Sequence, residues 1–181
     1  MVVPTGAALV AVLVGCLVRR TGARRTCLYL ALTAYVGAVA AVTLFPLPVE
    51  GGMGYAPAWG ISYTLVPFAG IARTVADAAQ TGWWWSIATV IVGGNVLMFV
   101  PLGLMLPLLS ERLRRLSAAT LVLAACSAAI EFAQLVAGLA VAGYLYRVVD
   151  DVILNVAGGL IGFGLWKAWE RLAAPKRDEL V

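Results

Sequence analysis

Histidine is absent from this 181-residue chain, and its three cysteines, Cys16, Cys27 and Cys126, each stand alone in an apolar stretch. Neither metal-ligand spacing nor a disulfide framework can be assembled from such a set, so the thiols read as small structural side chains. We expect no metal and no cofactor. No glycine-rich phosphate loop is present, and no serine, cysteine or histidine arrangement supplies an activated nucleophile. Charge is scarce as well: only 12% of residues are Asp, Glu, Lys or Arg. A soluble domain of this size needs about twice that share. What fills the chain instead is hydrocarbon, with 62% of residues hydrophobic and a mean hydropathy of +0.95. These values describe an integral membrane protein whose first partner is the lipid bilayer.

Apolar runs near the length of about 20 residues that a bilayer core demands occur at 2–18, 27–45, 85–109, 116–137 and 151–169. The expected fold is all-α: a polytopic transmembrane bundle of about five helices, with an outer amphipathic segment between the second and third spans. All of the 13 Lys and Arg except Arg73 and Arg147 fall in the first connection, the third connection or the C-terminal end. The positive-inside rule then puts the N-terminus outside and the C-terminus in the cytoplasm. Trp83, Trp84, Trp85, Tyr144 and Tyr146 would form the outer aromatic belt. The net charge of +4 is therefore an orientation signal, and no nucleic-acid partner is expected. Leu13-Val14-Gly15-Cys16 resembles a lipoprotein cleavage box, but its arginines follow the apolar run where such signals place them before it.

The outer connection, residues 46–83, opens with Pro46-Leu47-Pro48 and Gly51-Gly52-Met53-Gly54, which exclude a regular helix there. Its later part, from Phe68 to Asp77, has the pattern of a short amphipathic surface helix with Arg73 and Asp77 at i,i+4 spacing. The alternative is a solvated turn.

Polar residues in the last three spans collect toward the outer end. Glu131 lies two turns, or about 9 Å, from the end of the fourth run, with Gln134 at i+3 and Ser127 a turn deeper. Asn95 is near mid-depth in the third run, which Pro101 and Pro107 should kink or shorten. Arg147, Asp151, Asn155 and Gly159 recur every four residues into the fifth. Ionisable groups at this depth are expensive and constitute a functional-site expectation. The candidate ligand-binding set is Asn95, Glu131, Gln134, Arg147, Asp150, Asp151 and Asn155, with Glu131, Asp150 and Asp151 as the candidate acids or bases. The competing reading makes these groups helix ties, with Asp150 or Asp151 capping the fifth helix. The Gly158–Gly162 spacing suits close packing within the chain first, and a homodimer second.

In order, the chain shows Leu44-Phe45-Pro46; Leu65-Val66-Pro67-Phe68; Asn95-Val96-Leu97-Met98-Phe99-Val100-Pro101-Leu102-Gly103; Ser127 through Ile130-Glu131-Phe132 to Gln134; and Arg147, Asp151 and Asn155 followed by Gly158-Gly159 and Gly162. This series resembles the VanZ-like family of bacterial membrane proteins, with Thr64 where the family usually has Asn and a shortened acidic run at Asp150-Asp151. The resemblance divides the chain into an N-terminal helix and basic loop (1–26), a VanZ-like transmembrane domain (27–169) and a cytoplasmic tail (170–181). It implies a protein of the bacterial cytoplasmic membrane with an envelope role. The family's namesake is linked to resistance to teicoplanin-type lipoglycopeptides. Two function classes follow. One is a module that binds or shields a lipid-linked cell-wall precursor or lipoglycopeptide without changing it. The other is an intramembrane enzyme acting on a phosphate- or glycan-bearing lipid, with acidic residues as general acid and base.

Overall fold

The computed structural model describes residues 2–44, 66–84, 87–141 and 149–173. Outside them lie most of the Gly/Pro-rich connection with Thr64, the aromatic residues Trp85, Tyr144 and Tyr146, the candidate Arg147, and Lys176 and Arg177 in the tail. The described residues form six α-helices: α1 (Val2–Val18), α2 (Ala23–Leu44), α3 (Ala69–Thr81), α4 (Ile87–Leu109), α5 (Leu116–Val141) and α6 (Val149–Ala173). A short 3₁₀ turn, Glu111–Arg114, joins α4 to α5. α2, α4, α5 and α6 are long and apolar enough to cross a membrane. α1, at 17 residues, spans about 25 Å and falls short of a typical hydrocarbon core. α2 begins ahead of the apolar run, taking Arg24 and Arg25 into its first turn, where long basic side chains reach the interface while their stems stay in hydrocarbon.

The largest interface joins α4 to α6, which run parallel with the antiparallel α5 packed on α6. Glycine makes this possible. A Cβ on Gly158 would meet the carbonyl oxygen of Val96, one on Gly162 that of Val100, and one on Gly103 that of Gly159. Backbone therefore lies on backbone along two turns of each helix, and the Gly158–Gly162 spacing serves packing within the chain. Below this contact Phe99, Leu102, Leu106, Ala119, Leu123, Phe163 and Trp166 form the buried core.

α4 continues through both prolines. Pro101 and Pro107 lack the N–H groups that would bond Leu97 and Gly103 oxygens, yet the packed neighbours hold the helix in place. Pro107 is fully buried, and Tyr35 of α2 donates its hydroxyl to the Met98 carbonyl at 2.8 Å, in the turn before Pro101.

Among the described residues, every Lys and Arg except Arg73 on α3 gathers at one end of the bundle. Arg19, Arg20, Arg24 and Arg25 flank the α1–α2 turn, Arg112, Arg114 and Arg115 lie on and beside the 3₁₀ turn, and Lys167 and Arg171 lie in the last turns of α6. Here Trp166 is buried under Arg114, 6.0 Å from its ring centre, and Lys167, 5.2 Å away. Glu170 accepts from Lys167 at 2.8 Å.

Candidate functional site

The opposite end of the bundle carries the polar groups. Asn95 on α4 donates its Nδ2 to Asp151 Oδ1 on α6 at 2.7 Å. One turn deeper, Asn155 donates its Nδ2 to Ser127 Oγ on α5 at 2.9 Å, and both residues are buried. Register fixes what lies above this rung. Gly159 faces Leu123 and Asn155 faces Ser127, so each step of four residues back along α6 matches four residues forward along the antiparallel α5. The next step puts Asp151 level with Glu131. Glu131 is 8% exposed, so two carboxyl groups on facing helices share one level with the Asn95 amide beside them.

Gln134, a turn further along α5, faces elsewhere: its Nε2 donates to the Thr43 carbonyl at 3.1 Å and ties α5 to the end of α2. Asp150 also leaves the cluster. Successive helical residues project about 100° apart, so neighbours at 150 and 151 cannot serve the same face. The buried Asp150 carboxylate accepts from the backbone N–H groups of Phe68 at 2.6 Å, Gly70 at 2.7 Å and Ile71 at 3.1 Å. It is thus the anion at the N-terminus of α3, supplied across some eighty residues of sequence in place of a local capping side chain. The entry to α3 requires it: Phe68 sits in the left-handed region at φ 66° and offers no side-chain cap.

Sequence reasoning placed an acidic cap at the start of α6 and did not connect Asp150 to α3. The available signal was the i,i+1 spacing of the two acids, which already required different partners. The amphipathic character expected of α3 is present: Ala78 is buried and Ile71 and Thr74 are half-buried, with Arg73, Asp77 and Gln80 exposed opposite them. Arg73 and Asp77 are not joined by an ion pair, so the helix stands on its docking and on Asp150. Arg147 lies outside the described residues. A separate open groove of about 390 Å³ runs between α1 and α2, lined by Pro4, Thr5, Leu32, Val36 and Gly37 among others. Its walls are apolar and it shares no residue with the polar cluster.

The VanZ/LLP1 family model matches residues 32–170. The chain belongs to the VanZ-like family. No curated protein matches the chain, and no solved structure does. The VanZ-family match takes in α3 to α5 whole, α2 from Leu32 onward and α6 as far as Glu170, and so every residue of the polar cluster, while α1 lies before it.

Proposed function

We propose that this VanZ-family membrane protein binds a lipid-linked cell-wall component, or shields it from a lipoglycopeptide, through the polar cluster at the outer leaflet of the bacterial cytoplasmic membrane. One observation carries the reading. Three helices of an otherwise apolar bundle bring Asn95, Ser127, Glu131, Asp151 and Asn155 to one end, opposite the end where the basic residues gather. By the positive-inside rule the basic end faces the cytoplasm, and the cluster with α3 faces outward. That is the leaflet at which wall precursors and lipoglycopeptides present polar headgroups. Polar groups in such a setting are a cost to folding unless function retains them.

The test is direct binding of a lipid-linked wall precursor to the protein in lipid nanodiscs. Asn95→Leu, which fills the space beside Asp151, is expected to weaken binding at least tenfold. Binding unchanged by this substitution, or no binding by the parent, rejects the reading. An impermeant thiol reagent acting on single cysteines at Gly82 and Arg114 should label the first from outside and spare the second.

A second reading is favoured by the level shared by Glu131 and Asp151: two carboxyl groups can divide the roles of general acid and base on a phosphate- or glycan-bearing lipid. An enzyme should lose turnover with Glu131→Gln or Asp151→Asn while keeping affinity. A binding module should keep its phenotype with at least one of these swaps, because an amide still offers an acceptor.

A further inference from the structure

Residues 71–80 of α3 sort into three faces, one more than docking on the bundle and exposure to water require. Successive positions turn by about 100°, so these residues can be ordered around the helix axis. Thr74, Ala78 and Ile71 come first and form the buried and half-buried face laid on the bundle. Val75, Ala79, Ala72 and Ala76 come next; all four are exposed and all are apolar. Gln80, Arg73 and Asp77 complete the turn, exposed and polar. A helix with only protein on one side and water on the other has no reason to keep polar residues out of the second arc.

The place of α3 in the bundle names the missing neighbour. It packs on α4 and α6, both long and apolar enough to cross a membrane, and Asp150 in the first turn of α6 holds its entry. It therefore lies at the rim of the bundle, away from the basic end, where protein, lipid and water meet. Phe68 before the helix and Trp83 and Trp84 just past it are exposed. Indole rings are favoured at headgroup level, which accommodates both the apolar body and the N–H. A protein partner is held by large anchors at the centre of the contact. Here the centre is one valine among alanines and the rings stand beyond the helix end, a pattern suited to shallow immersion in a bilayer surface.

We propose that α3 is an interfacial helix whose Ala72, Val75, Ala76 and Ala79 face is immersed in the headgroup–acyl boundary of the leaflet opposite the basic end, with bilayer lipid as its partner. Immersion also fixes the level of the polar cluster. Asp150 binds α3 and its neighbour Asp151 binds Asn95, so the Asn95–Asp151 pair is held near headgroup level. Neither effect requires a ligand in the cluster, and the ligand-binding reading stands or falls separately.

The full chain, in a Cys16→Ala, Cys27→Ala and Cys126→Ala background, takes nitroxides at single cysteines replacing Ala72, Val75 or Ala79, and Arg73, Asp77 or Gln80. In nanodiscs of phosphatidylethanolamine and phosphatidylglycerol, oxygen concentrates in the lipid and a nickel chelate stays in water. Oxygen should be the stronger relaxer at the first three positions and nickel at the last three. Nickel dominance at positions 75 and 79 puts that face in water and overturns the proposal. Exclusion of both reagents there means that protein covers the face, a second copy or another part of the chain, and overturns it equally. A second measurement keeps the native cysteines. Val75→Asp, which sets a charge in the immersed face, should speed amide exchange across α3 by about tenfold or more in nanodiscs, while Gln80→Asp leaves it near the parent rate. An equal response to the two substitutions rejects the lipid contact.

Discussion

The α4–α6 pair and the α1–α2 pair are both built from apolar helices, yet one is a packed interior and the other is nearly all surface. In α6, 44% of the spanning stretch is buried within the protein, against none of α2's. The difference does not come from hydrophobicity, since α1 and α4 are equally apolar. It comes from where small residues stand. Gly103, Gly158 and Gly162 each face backbone of the partner helix, whereas Gly6 and Gly15 on α1 face open space and Gly37 on α2 meets only the side chain of Thr5. In lipid, where burying apolar surface brings little gain, close backbone approach and its dispersion contacts select which helices form the core.

The sharpest way to break this contrast is to add bulk at the backbone contact. Gly158→Leu or Gly162→Leu must displace the carbonyl of Val96 or Val100, which no rotamer change relieves. We expect a loss of several kcal/mol or failure to fold, read by denaturant titration in mixed micelles. Tolerance of both substitutions would remove the α4–α6 contact as the organising feature. Next in size is Asp150→Ala, which strands the three N–H groups of α3 and should cost about 2–4 kcal/mol. Hydrogen exchange at Phe68, Gly70 and Ile71 should rise sharply while the α4 core stays protected, and unchanged exchange there would show that α3 needs no such anchor.

A smaller effect is expected from Asn95→Ala, which removes one amide–carboxylate bond. A cost of about 1–2 kcal/mol is expected, and a double-mutant cycle with Asp151→Asn should recover a coupling of about 1 kcal/mol. The smallest belongs to the other pair. Gly15→Ala enters open space, so stability should stay within about 0.5 kcal/mol of the parent. A larger loss would mean that α1 packs on something beyond α2, and a second copy of the chain would then be sought by crosslinking.

Much of the architecture was legible along the chain because lipid imposes length and composition on each span separately. The apolar run at 2–18 became α1 with the same limits, and Leu109 and Leu116 bound the turn between α4 and α5 as read from Arg112, Arg114 and Arg115. The level of Asn95 was less readable: its place in the run suggests mid-depth, yet its amide meets Asp151 in the first turn of α6 at 2.7 Å, because the register of α4 against α6 is set by tertiary packing. The spacing of Arg73 and Asp77 gave a different lesson: i,i+4 placement permits an ion pair, and on the exposed face of α3 the two side chains do not form one.

By itself, then, the sequence determined that this is a membrane-spanning helical protein, which stretches are apolar, where its positive charges lie and which polar residues share a helical face. Only the tertiary structure decided which partner each of them took. Asp150 and Asp151 are adjacent in sequence, but one anchors α3 through Phe68, Gly70 and Ile71 and the other joins Asn95. The physical reason is range. Hydropathy, helical period and charge act over a few neighbouring residues, whereas the partner of a carboxylate or an amide depends on which distant backbones the glycines allow to meet.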